Sequence, residues 1–230
     1  MRLLALDTTA RAGSVALAEN DAIVDARVGD ASRTHGERLP GDVLDLLKAH
    51  ELVPSDIDVF AVAAGPGSFT GLRVGIACIQ GLALATGRRV VAVSALDALA
   101  CAAQPVPADT LVAAWIDAHR GEIFAALYSA MTPVDGPSVG APARTVESLR
   151  SRFAERPVLA IGDGAERYAH VLREAGQGIR LFEPAAPMLA PSIARLALKE
   201  AAAGRTIAPH AIVPIYIRRP DAELARHAHR

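Results

Sequence analysis

Cysteine, lysine and net charge are all scarce in this chain of 230 residues, and each scarcity removes a class of function. The two cysteines, Cys78 and Cys101, stand among alanines in predicted helices without the spacing of a metal pair. They read as buried free thiols of a reducing compartment, not as a disulfide framework. The formal net charge is -1, from 24 basic and 25 acidic residues, so no bulk field draws the protein to nucleic acid or to an anionic membrane. If a nucleic acid is served, a partner supplies the grip. The 22 arginines against 2 lysines are scattered along the chain and form no patch. None of the seven histidines pairs with another at i, i+4, so no metal is expected. The longest apolar stretch, Val74 to Thr86, falls short of the ~20 residues of a membrane span and contains Gln80 and Gly81. The opening MRLLALDTT has no signal-peptide pattern. The expectation is a soluble, cytoplasmic protein with no membrane partner.

What is present is a duplicated unit. LLALDTTARAGSVALA (3–18) has a counterpart in VAAWIDAHRGEIFAALY (112–128): an apolar strand ending in aspartate, a polar turn holding Arg and Gly, and a strand leading back. DVFAVAAG and PVLAIGDG then each precede a helix, and a further strand and helix follow in both halves. Each half therefore reads strand, strand, strand, helix, strand, helix, strand, helix. Val-, Ile- and Ala-rich runs alternating with helices predict a mixed sheet covered by helices. At 51% hydrophobic residues there is enough apolar side chain for a sizeable core, and chains of this size bury roughly 70–75% of their unfolded surface. Two such halves resemble the actin-like superfamily of sugar kinases, heat-shock chaperones and actin. The predicted fold is α/β, two subdomains each with a mixed five-stranded sheet and flanking helices, divided as 1–106 and 107–230 near AQPVPAD. The tail after Pro220 reads as polar and frayed.

In an actin-like fold the two hairpin turns face a cleft, where Asp7 and Asp117 would flank phosphates and metal-bound water. The plainer reading of the same aspartates is as caps of their own hairpins, because the turns DTTARAG and DAHRGEIF lack the glycine-rich, basic character a triphosphate needs. GPGSFTG (65–71) has neither the Lys-[ST] of a Walker loop nor a G-x-S-x-G elbow, which leaves only a weak anion contact at a helix start. The helix that follows says more. At 100° per residue Leu72, Ile76, Ile79 and Ala83 fall on one face, and Gly71, Gly75, Cys78 and Leu82 on a second. Only Arg73 and Gln80 form a polar strip, so the helix either lies inside its own domain or offers its second face to another protein. The preceding helix carries Leu39, Val43, Leu46 and Leu47 on one stripe, opposite Asp42, Asp45 and Lys48.

The segments LALDTTARAGSVAL, AAGPGSFTGLRVGIACIQGLALA, IDAHRGEIFAALY, IGDGAERY and PIYIRR resemble, in order and over nearly the whole chain, the TsaB (YeaZ) family. The resemblance implies a non-catalytic subunit of the bacterial complex that forms N6-threonylcarbamoyladenosine at position 37 of tRNAs reading codons that begin with A. It implies a catalytic paralogue, TsaD, as partner, a TsaE-type ATPase in the same complex, indirect contact with tRNA and no cofactor. Where the paralogue has two metal-binding histidines, Ala95 and Leu99 stand here. The resemblance also implies that the two helices of the first half meet TsaD or a second copy, which makes Leu39, Val43, Leu46, Leu47, Gly71, Gly75, Cys78 and Leu82 the expected interface. Asp7, Thr8, Thr9, Asp117, Gly162 and Gly164 would then mark a vestigial nucleotide cleft. The competing reading is an actin-like ATPase or small-molecule kinase with Asp7 and Asp117 as metal and base residues. A metallopeptidase is disfavoured by the missing ligands.

Overall fold

The first half starts as an antiparallel meander, β1 (Arg2–Asp7), β2 (Ser14–Glu19) and β3 (Ala22–Val28). Asn20 and Asp21 both take positive φ, the conformation a two-residue hairpin turn requires. Helix α1 (His35–Ala49) opens where the Glu37 carboxylate accepts from the backbone N–H and hydroxyl of Thr34. Strand β4 (Val59–Gly65), buried along its whole length, pairs parallel to β1, as a strand covered on both faces does. Helix α2 (Phe69–Thr86) follows, capped by Ser68 and stopped by Gly87 in the left-handed region. Strand β5 (Arg89–Ser94) and helix α3 (Ala95–Ala102) complete the half.

The second half repeats this order with β6 (Leu111–Asp117), β7 (Ile123–Ser129), β8 (Thr132–Gly140), α4 (Pro142–Phe153), β9 (Val158–Ile161), α5 (Asp163–Arg167), α6 (Ala169–Glu174), β10 (Ile179–Leu181) and α7 (Ala190–Ala202). The computed structural model describes residues 1–153, 156–176 and 178–218. The two sheets have the orders β3-β2-β1-β4-β5 and β8-β7-β6-β9-β10, so the duplication seen in the sequence is a duplication of topology. One difference is informative. The single helix expected after β9 is two short ones, because Tyr168 between them leaves the helical region at φ -105, ψ 28.

Helices α3 and α7 lie between the sheets: α3 packs on β6, and α7, from the second half of the chain, packs on β1, β2 and β4. Their alanines permit close approach, and Ala5, Leu99, Ile116, Ile161 and Ile193 share one core. Polar ties join the layers. The Ala190 N–H donates to Ser14 Oγ at 3.0 Å, and the Tyr128 hydroxyl donates to Asp97 Oδ1 at 2.7 Å.

Candidate functional site

The turn after β1 is closed on itself. Asp7 Oδ1 accepts from the Thr9 N–H at 2.9 Å and from the Thr9 hydroxyl at 2.7 Å, and the Thr9 carbonyl accepts from the Ser68 N–H at 3.0 Å. The glycines of the following loop and helix make this contact sterically feasible. A Cβ on Gly67 would fall 2.6 Å from the Thr9 Cβ, and one on Gly71 or Gly75 would overlap the Thr8 carbonyl or hydroxyl oxygen. Gly71 and Gly75, expected at a partner interface, therefore face the protein's own hairpin. Asp7, Thr8 and Thr9 are buried beneath α2. Burial pushes the Asp7 carboxyl above its ordinary range, the two bonds from Thr9 act the other way, and the Asp163 charge adds to the rise.

The turn after β6 stays open. Asp117 Oδ1 accepts from the His119 N–H at 3.1 Å, while its Oδ2 lies 3.3 Å from the His119 ring and 3.4 Å from the Arg167 guanidinium. The Asp117 N–H donates to Asp163 Oδ1 at 3.0 Å. Burial raises the Asp163 carboxyl as well. Gly162 and Gly164 serve close packing, since side chains there would run into the backbone of Trp115 and Ile116. Between the open turn and the glycine loop lies a cavity of about 460 Å³, lined by 66–70, 117–120, Phe124 and 215–218. Of the six residues expected to mark a nucleotide cleft, only Asp117 lines it. The others are committed to the packing of β1, β6 and their turns. Sequence reasoning missed Asp163, Arg167 and the role of 215–218; the motif PIYIRR was the available signal for the last. Among the described residues no group of three His, Cys, Asp or Glu side chains could hold a metal. Ala95 and Leu99 are apolar and buried in the shared core.

The helix face is also redistributed. Leu39, Val43, Leu46 and Leu47, expected at a partner interface, are at most 1% exposed and pack with Phe60, Ile76 and Ile79, which seats α1 on its own sheet. The stripe on α1 was the ordinary buried face of an amphipathic helix. Leu72, Ile76, Ile79 and Ala83 form the buried face of α2 as the periodicity predicts. Cys78 and Leu82 are half-buried at its rim, and burial raises the Cys78 thiol. The apolar side chains left outward on these helices include Leu44, Phe69 and Leu84. By length and composition α2 could cross a membrane, but its buried side is already occupied by the sheet.

A family model described as TsaD, tRNA N6-adenosine threonylcarbamoyltransferase, matches residues 29–225. The tRNA threonylcarbamoyladenosine biosynthesis protein TsaB of Escherichia coli K12 is 33% identical over 95% of this chain and 95% of its own length. YeaZ from Pseudomonas aeruginosa superposes with a TM-score of 0.76 at 31% identity, over 94% of this chain and 100% of that one. The activator of the 2-hydroxyisocaproyl-CoA dehydratase from Clostridium difficile, solved with ADPNP, has a TM-score of 0.55 at 13% identity, over 89% and 97% of the two chains. At that identity the likeness is one of fold, the duplicated actin-like fold.

Proposed function

This chain belongs to the TsaB (YeaZ) family, and from that premise we propose that it serves tRNA threonylcarbamoyladenosine biosynthesis as a non-catalytic subunit that supports a TsaD-type paralogue. The observation that carries the non-catalytic part is the sealed first turn. Asp7, which an actin-like kinase would turn towards bound phosphates, is buried and bonded twice to Thr9, and the glycine loop lies over it. A group so placed cannot reach a substrate without moving α2. The apolar, buried Ala95 and Leu99 favour the same reading, because neither can ligate a metal.

The partner meets the outward side of α1 and α2, where Leu44 and Leu84 are 50% and 63% exposed and Cys78 and Leu82 form the rim. Exposed leucines on adjacent helices give a second protein apolar area to cover. A TsaE-type ATPase joins the same assembly, and a second copy of this chain competes for the same face. The test is depletion of the protein, with mass spectrometry of tRNA nucleosides and co-purification with the TsaD paralogue. Loss of threonylcarbamoyladenosine is expected, and unchanged levels overturn the proposal. Micromolar ATP binding by the isolated chain, measured calorimetrically, would favour the kinase reading instead.

A further inference from the structure

After α7 the chain turns back and runs across the first half. Ile207 pairs with Val90 through two backbone bonds of 3.0 and 2.9 Å, and Gln80 donates to the Pro209 carbonyl at 2.9 Å. Ile212 is buried in the core beneath α2. The Ile215 N–H then donates to the Ala64 carbonyl at 2.7 Å, at the end of β4. Gly65 next to it takes φ +112, and a Cβ there would stand 2.8 Å from the Ile215 carbonyl oxygen, so this glycine is where the returning segment is seated. The Tyr216 ring lies 5.4 Å from Phe69, the first residue of α2. Two residues on, the segment has crossed to the other half. Arg218 donates to the Ala118 carbonyl at 2.9 Å, pairs with Glu122, and lies over the Phe124 ring at 5.8 Å.

We propose that Ile215–Arg218 is a strap that fixes the two halves across the cleft, with Arg218 and Tyr216 as the positioning residues at its two ends. The segment is attached on one side to β4 and the start of α2, and on the other to the second hairpin turn. It also walls the cavity of about 460 Å³ between them. The partners of Arg218, a carbonyl and a carboxylate, both belong to this protein, which is the pattern of a latch and not of a group waiting for a ligand. The strap couples the halves reciprocally: loosening either end frees the other. Its consequence for a partner, that the second half governs where α2 begins, rests on the reading of the outward α1 and α2 face given above.

Hydrogen exchange of the isolated full chain tests the coupling without any partner. In Arg218→Ala, peptides covering 64–72 should exchange roughly fivefold to tenfold faster, the net worth of about one hydrogen bond, although the bonds Arg218 makes run to Ala118 and Glu122, outside that stretch. In Tyr216→Ala, the second turn, 117–124, should exchange faster by a similar factor. Arg218→Lys keeps the charge near Glu122 and should recover part of the protection. Because Tyr216 is 41% exposed, its truncation leaves the core filled and remains readable even if Arg218→Ala does not fold. Faster exchange confined to the mutated side in the folded variants, or a uniform increase over both sheets, overturns the strap. Unchanged TsaD binding alongside the expected exchange pattern leaves the strap standing and removes only its consequence for the partner.

Discussion

Asp7 and Asp117 each end a buried apolar strand and each cap the polar turn that follows, yet the first turn is sealed and the second lines a cleft. The cause is the helix that follows the parallel neighbour strand, β4 in the first half and β9 in the second. In the first half an 18-residue helix passes over the turn, with glycines at 71 and 75, and at 67 in the loop before it, admitting Thr8 and Thr9. In the second half the equivalent helix is five residues long, and its glycine meets the end of β6 instead of the turn. A repeated strand–turn–strand plan therefore gives either a packed joint or an exposed one, according to how much helix covers it.

The strongest way to break this contrast is to unseat the cover. Ile76→Arg buries a charge among apolar neighbours and should cost about 3 kcal/mol or more, enough to leave the chain unfolded or melting far earlier. Leu82→Arg, at the rim of the same helix, should melt near the parent and weaken pull-down of the TsaD paralogue instead. Equal melting losses in the two variants would invert the faces assigned to α2.

A gentler perturbation compares glycines. Gly71→Ala drives a methyl group into the Thr8 backbone carbonyl, which cannot rotate away, and should cost about 1–3 kcal/mol in denaturant unfolding. Gly121→Ala, in the second turn, meets nothing within 4 Å, and its cost of about 1 kcal/mol comes only from φ +79. If the second loss matches or exceeds the first, the first turn is not sterically sealed.

The carboxylates sharpen the comparison further. Asp7 has its folded-state pKa raised by burial, so the native state takes up the proton more readily than the unfolded chain. Ionised Asp7 thus lowers stability above its unfolded pKa of 3.8, and the loss saturates above the raised value. Asp7→Asn keeps an acceptor for Thr9 and should gain stability at pH 7, with the gain fading as the solution is acidified towards pH 3.8. Asp117→Asn, whose Arg167 and His119 partners are mostly exposed, should change stability by less than about 1 kcal/mol.

The smallest effect belongs to the pin between the first turn and α1. His35 Nε2 lies 3.1 Å from the Ala10 carbonyl, its Nδ1 faces Arg38, and Arg38 itself bonds the Ala12 carbonyl and Asp42. The tautomer that fits donates from Nε2 and accepts at Nδ1. Burial lowers the His35 pKa below 6.5, with Arg38 acting in the same direction, so the unfolded chain binds the proton first. Stability should be fully present above pH 6.5 and fall as the solution is acidified through the lowered value. His35→Gln should flatten that decline in melting temperature, and an unchanged slope would place the proton uptake elsewhere.

The duplicated order of strands and helices was legible in the sequence because strand periodicity, aspartate-terminated strands and turn residues are local signals. So was the buried face of α2. Leu39, Val43, Leu46 and Leu47 show the limit: an amphipathic stripe announces that a helix is covered, not by what, and here the cover is the protein's own sheet. Gly71 and Gly75 likewise announced a close approach, while its identity, Thr8, lies more than sixty residues away in the chain. The crossing of Ile215–Arg218 had no local signal beyond its residues, since the Ala64 and Ala118 carbonyls that it joins become neighbours only when the two sheets pack around α3 and α7. Sequence alone determined the duplicated order of strands and helices and the family, though not the break at Tyr168 that splits the helix after β9. Tertiary structure alone decided which turn is sealed and which surfaces remain outward, because steric contact depends on what folding brings near and not on what the chain places next.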